Sequence, residues 1–209
     1  MSEAKDAILG RIRLAVTGAP ELPYRNIARM YHQTSVADAS ARLGLFESRL
    51  RDYGSVVYCC SQTGVSETIA LALSNARKRS LLMPSGFPSN WIPAGHAFRP
   101  DENLSYADMD AAEGVITTCA VAIAETGTIV LRHSEQEGRR ALTLIPDYHL
   151  CIVEANQIVG SVVEAIRLAA LFGTAPITTI SGPSATSDIE MIRVKGVHGP
   201  RTLDVVIIS

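Results

Sequence analysis

Basic charge has no surplus in this chain: 19 lysines and arginines stand against 21 aspartates and glutamates, a net charge of −2. A surface without a positive field cannot neutralise a phosphate backbone, which argues against nucleic acid as a partner. Aromatic residues make up only 5% of the sequence, too few for a base-stacking platform. Long apolar runs are missing too. The longest candidate, 115–131, is interrupted by Glu125 and several threonines, whereas a membrane helix needs roughly 18–20 apolar residues. The first residues alternate charged and apolar types, so no signal-peptide stretch is visible. These absences predict a cytoplasmic protein without membrane insertion.

Cysteine is scarce and unclustered. Cys59, Cys60, Cys119 and Cys151 form no C-x-x-C pair, and an iron–sulfur cluster needs several thiolates at short spacing. The expectation is four buried thiols in a reducing compartment. His32, His96, His133, His149 and His198 are scattered, with no paired spacing for a metal. Neither a Walker A motif nor G-x-G-x-x-G is present, so nothing marks a nucleotide cofactor. No cofactor is expected in this chain.

Apolar residues, at 47% of 209, are enough to build one sizeable core. Residues 2–17 read as an amphipathic helix. Two prolines in 19–34 mark a linker. Ala39, Leu43, Phe46 and Leu50 predict a helix over 36–53 that stops at Gly54. From Val56 onward, short β-branched runs alternate with helical patterns. That alternation predicts an α/β fold, a mainly parallel sheet flanked by helices. The boundary falls between an N-terminal helical extension, 1–54, and an α/β domain, 55–209. Within the latter, 115–131 reads as two strands around a turn at Thr126-Gly127, and 87–100, with the only tryptophan, Trp91, as an irregular connection.

Four segments carry possible chemistry. The run 122–131 places Glu125, Thr126, Gly127 and Thr128 at a turn whose small residues, amides and hydroxyls suit a carboxylate or phosphate. Glu125 reads as a base, a nucleophile or a solvated charge; a plain glycine hairpin explains the same pattern. The run 181–190 follows a predicted strand, where open α/β sheets bind ligands. It offers Ser181, Gly182 and Ser184 to a small anion, with Asp188 and Glu190 as orienting or ion-pairing groups. A serine-rich turn capped by Asp188 is the alternative. In 195–200, His198 beside Gly199 is a candidate acid, base or anion donor, against the more common structural histidine. Gln62 to Glu67 lies at a predicted helix N-terminus, a weaker anion site.

Two of these segments together resemble a known family. AIAETGTIVL at 122–131, followed by SGPSATSDIEMIRVKGVHGPRTLDVVI at 181–207, is similar to the lactate-utilization (LUD) domain, within it the lactate utilization protein C group; LIPDYHLCIVEANQIV at 144–159 fits the same pattern. The resemblance is specific over 115–208 and weaker before it. It implies a fold related to the sugar-phosphate isomerase and CoA-transferase superfamily. It also implies a part in bacterial oxidation of L-lactate to pyruvate, together with iron–sulfur partner proteins that carry the clusters. It leaves open whether this chain is itself catalytic or is a non-redox subunit that binds a small carboxylate or organises the complex. On that reading Glu125 and His198 are the candidate catalytic groups. Thr126, Gly127, Thr128, Ser181, Gly182, Ser184, Asp188, Glu190 and Gly199 would surround the substrate. The alternative is a stand-alone CoA-transferase- or isomerase-like enzyme acting on a small anion, with Glu125 as nucleophile or base.

Overall fold

A computed structural model describes residues 2–18, 26–28, 30–187, 193–196 and 198–209. It divides at residue 32: 1–32 form one unit and 33–209 another. The first unit carries helix α1, Ser2–Val16. Its Ile8, Ile12, Leu14 and Val16 are exposed. Among the described residues no helix is long and apolar enough to cross a membrane.

The second unit opens with α2, Ala39–Asp52. The Asp38 carboxylate accepts from the Ala41 amide at 2.8 Å and caps its first turn. Gly54, at φ +84°, ends it. Phe46 and Leu50, one turn apart, are fully buried. The extension expected over 1–54 is therefore divided: its second helix packs into the larger unit because its apolar face has a core to fill.

Then come β1 (Val56–Cys60), α3 (Val65–Asn75), β2 (Ser80–Met83), β3 (Ala97–Pro100), α4 (Tyr106–Asp110), β4 (Val115–Thr117), β5 (Val121–Ile123) and β6 (Thr128–Leu131). β7 (Tyr148–Glu154), β8 (Ile158–Val159), α5 (Val162–Ala169), β9 (Thr178–Ile180), β10 (Ala185–Ser187), β11 (Arg193–Lys195) and β12 (Thr202–Ile208) complete the chain. Six strands form one sheet in the order β1-β12-β7-β4-β2-β3, every neighbouring pair parallel. A second sheet runs β8-β5-β6-β9, and β10 and β11 make a separate antiparallel hairpin.

The layers follow from strand alternation. On β7 and β12, Tyr148, Leu150, Ile152, Val206 and Ile208 pack with Val65, Ile69 and Leu73 of α3. Cys151, Val153, Leu203, Val205 and Ile207 face the other way. They pack with Phe46 and Leu50 of α2 and with Ile129 and Leu131 of the second sheet. The far side of that second sheet, Val121, Ile123 and Val130, is covered by Ala165 of α5. The helix α5 starts on a capping box in which Ser161 and Glu164 satisfy each other's amides. The expected α/β architecture, a mainly parallel sheet flanked by helices, is present.

Two local expectations change, and the irregular connection expected around Trp91 does not. The stretch 115–131 makes three strands in two sheets: β4 joins the parallel sheet, while β5 and β6 form the hairpin around Thr126-Gly127. Trp91 is buried at 6% exposure, edge-on to Phe87 with ring centroids 6.0 Å apart, so its segment is tucked onto the core. Of the four thiols, Cys119 and Cys151 are buried, Cys60 is half-buried and Cys59 is exposed. β1 is the edge strand of its sheet, and Cys59 and Cys60 lie at its carboxyl end.

Gly127 shows how tightly the hairpin docks on α2. Its φ is +60°, and a Cβ there would lie 2.6 Å from Arg49 Cβ and 3.1 Å from the Arg49 carbonyl carbon. Gly127→Ala should therefore combine left-handed strain with a backbone clash, lowering stability by about 2–4 kcal/mol. Urea unfolding of the variant beside the parent chain measures it; an unchanged midpoint would remove this account of the glycine.

Candidate functional site

The segment after β9 is tied back to the segment before β12. The Ser184 amide donates to Pro200 O at 2.8 Å, and the Gly196 amide donates to Ser184 O at 3.0 Å. The His198 amide donates to Ser184 Oγ, also at 3.0 Å. Those bonds bring two of the sequence motifs side by side. Between them lies a cleft of about 290 Å³, lined by Ser181, Gly182, Ser184, His198 and Gly199 together with Arg140, Thr143, His149, Thr178, Thr179 and Leu203. Gly182 is fixed by packing: at φ +81° its missing Cβ would lie 2.6 Å from Tyr53 Cβ at the end of α2. The serine turn thus has the second sheet on one side and α2 on the other.

Hydroxyl groups connect this cleft to the hairpin motif. Thr126 Oγ1 and Thr128 Oγ1 share a bond at 2.7 Å, and Thr128 Oγ1 and Ser181 Oγ share another at 2.8 Å. The chain Thr126–Thr128–Ser181 orients the serine, but neither threonine lines the cleft, nor does Gly127. Glu125 is exposed and does not line it either. The Glu125 carbonyl, not its carboxylate, accepts from Arg49 Nε at 3.3 Å. Asp188 and Glu190 lie outside the described residues.

The location also departs from the expectation for an open α/β sheet. β9 leads into the serine turn, but it pairs antiparallel with β6 in the second sheet. His149 and Leu203, each the second residue of its strand, line the cleft. The site therefore sits at the amino ends of β7 and β12, between the two sheets, rather than beyond their carboxyl ends.

Two functional candidates escaped sequence reasoning. Arg140, in a 3-10 turn at Arg140–Thr143, is exposed at the cleft, and among the described residues its guanidinium has no hydrogen bond or ion pair. Its neighbour Arg201 is neutralised by Asp147 at 3.0 Å. Arg140 is thus a cation open to an anionic ligand. Its place in a polar loop gave no signal. His149 is 1% exposed. Its Nε2 meets Thr117 Oγ1 at 2.8 Å, while Nδ1 has no partner among the described residues. Burial pushes its pKa down to about 4, so at neutral pH the ring is uncharged. A lone histidine in an apolar strand reads as core, and its bare nitrogen together with its place in the cleft lining marks it as a candidate.

Thr178 is held from outside. His133 Nδ1 lies 3.0 Å from Gly138 O, which can only accept, so Nδ1–H donates there, and Nε2 lies 2.8 Å from Thr178 Oγ1. The assembled wall can hold a small anion: one guanidinium unpaired among the described residues, several oriented hydroxyls and a neutral imidazole. Among the described residues no group of three or more histidine, cysteine, aspartate or glutamate side chains is placed to hold a metal ion.

Comparison with known proteins agrees with this architecture. The LUD domain family model matches residues 27–208. The chain is 43% identical over 214 residues to lactate utilization protein C of Deinococcus radiodurans, covering all of this chain and 97% of that protein. It is 35% identical over 136 residues to lactate utilization protein C of Bacillus subtilis, covering 61% of this chain and 55% of that one. A crystal structure of a DUF162 family protein from Deinococcus radiodurans superposes with a TM-score of 0.73 at 41% identity, covering 83% of this chain and 99% of the other.

Proposed function

The chain belongs to the LUD domain family, and from that premise we propose that it serves lactate utilization as the subunit that binds a small carboxylate in the Arg140 cleft. The names of its relatives support the process. The observation that carries the site is Arg140, whose guanidinium is unpaired among the described residues and lines the cleft with the Ser181–Ser184 turn. A guanidinium matches a carboxylate with two parallel N–H···O bonds. The hydroxyls of Ser184 and Thr179, which also line the cleft, supply further donors. Oxidation of lactate to pyruvate releases two electrons and two protons. We assign their transfer to iron–sulfur partner proteins and give this chain the task of holding the acid in place or presenting it to them.

Arg140→Ala tests the site. A hydrogen bond to a charged group contributes about 1.5–3 kcal/mol, so lactate affinity measured by calorimetry should fall by roughly 10–100-fold. The unfolding midpoint should barely move, because the side chain is exposed and bonded to nothing among the described residues. Undiminished lactate binding in the variant would place the acid elsewhere. A fall in stability as large as the fall in affinity would make Arg140 structural.

A further inference from the structure

Two buried polar residues line the cleft, Thr143 and His149. His149 sits on β7 between β4 and β12, paired in register with Val115 on one side and Leu203 on the other. Its ring faces the same side as Cys151 and Leu203, toward the space between the sheets. Thr117 Oγ1 holds Nε2 at 2.8 Å. That leaves Nδ1, buried and without a partner among the described residues, as the unbonded ring nitrogen of a residue that lines the cleft. A buried polar atom without a partner costs stability unless something bound there completes it.

We infer that His149 is the specificity residue of this cleft: its Nδ1 pairs with a hydroxyl carried beside the ligand's carboxylate, so the site selects hydroxy acids over plain carboxylic acids. The inference rests on the cleft being a carboxylate site with Arg140 as its anchor. Two features of the ring favour a neutral hydroxyl there over the carboxylate itself. The imidazole is enclosed and uncharged, so it offers no charge to compensate an anion, whereas Arg140 does. A hydroxyl is also the group that serves either tautomer. If Thr117 donates to Cys151 Sγ, 3.9 Å away, it accepts from Nε2–H, and Nδ1 is an acceptor for the ligand's O–H. If Thr117 donates to Nε2 instead, Nδ1–H donates to the ligand's oxygen. Arg140 and His149 line the same cleft of about 290 Å³, so both recognition points belong to one binding space.

The consequence is a preference that small apolar pockets do not generate, because the acid lacking the hydroxyl leaves Nδ1 unpaired. The test is calorimetric titration of the full chain with L-lactate and with propionate, which differ by that one hydroxyl. The parent chain should bind lactate at least about 10-fold more tightly. In His149→Phe, which keeps a packed ring without nitrogen, the two acids should bind within about twofold of each other. Equal affinities in the parent, or a preference that survives in the variant, overturn the role of His149 and leave the Arg140 site standing. Failure of both acids to bind the parent chain overturns the carboxylate site and this inference together. Should the variant not fold, long-range proton–nitrogen NMR of the parent chain decides. Nδ1 of His149 should shift on adding L-lactate and stay in place with propionate; a ring indifferent to lactate sinks the assignment.

Discussion

Phe46→Ala is expected to lower the thermal unfolding midpoint by roughly 8–15 °C, the equivalent of about 3–5 kcal/mol in a domain of this size. Phe46 is fully buried. It packs in the cluster that joins α2 to Ile129 and Leu131 of the second sheet and to Val205 and Ile207 of the parallel one. Removing the ring leaves a cavity at the meeting of three elements, none of which can close it alone. The effect should reach the cleft as well. The same helix supplies Arg49, against which Gly127 lies, and ends at Tyr53, against which Gly182 lies. Lactate affinity should therefore weaken in Phe46→Ala even though residue 46 does not line the site. Leu45→Ala is the control. Leu45, on the neighbouring position of α2, is 37% exposed, and its truncation should shift the midpoint by no more than a degree or two. Equal, small effects from both would mean that α2 is a detachable extension, as its position in the sequence suggests.

Sequence patterning located α2, though it begins three residues later than expected, and its buried face, because 43, 46 and 50 recur at helical spacing and the structure buries Phe46 and Leu50. The strands β7 and β12 were legible for a different reason: both faces are covered, so they read as continuous apolar runs. What stayed hidden was which sheet a strand joins. β4, β5 and β6 share one β-branched texture, and nothing local says that the chain leaves the parallel sheet after Thr117. The same ambiguity put β9 at the wrong kind of sheet edge. The serine and histidine–glycine motifs were legible as cleft residues because glycines and hydroxyls concentrate where backbones approach closely. Glu125 attracted attention for its charge amid apolar neighbours, yet the hairpin turns it to solvent. Arg140 and His149 were invisible for opposite reasons. One is a charge in a polar loop, the other a polar ring in an apolar strand, and only the tertiary contacts separate each from its ordinary role.

Acid should weaken this fold through His149 before its carboxylates begin to protonate. In the unfolded chain a histidine titrates near pH 6.5, whereas burial pushes His149 down to about 4 in the folded one. Between those values the unfolded state takes up a proton that the folded state refuses. Unfolding is therefore favoured progressively as pH falls through this window, and the loss levels off once the folded ring also protonates. From pH 7.5 to 4.5 the contribution is roughly 2–3 kcal/mol. Other groups act elsewhere. Burial raises Asp204, a shift that favours the folded state as acid is added. At Asp101, burial acts upward but bonds from Arg139 and from the Leu104 and Asn103 amides hold the carboxyl below its usual range. Its stabilisation is present above the ordinary carboxylate pKa and is lost only as pH falls below that value. The His149 part is isolated by difference. Urea unfolding of the parent and of His149→Gln at pH 7.5, 6.5, 5.5 and 4.5 should give stabilities that diverge at high pH and converge toward low pH, the parent losing about 2–3 kcal/mol more. Parallel curves would mean that the ring is protonated alike in the folded and unfolded states. The ring would then titrate in the fold as it does unfolded, and only below about pH 6.5 would it carry a charge for a carboxylate to pair with.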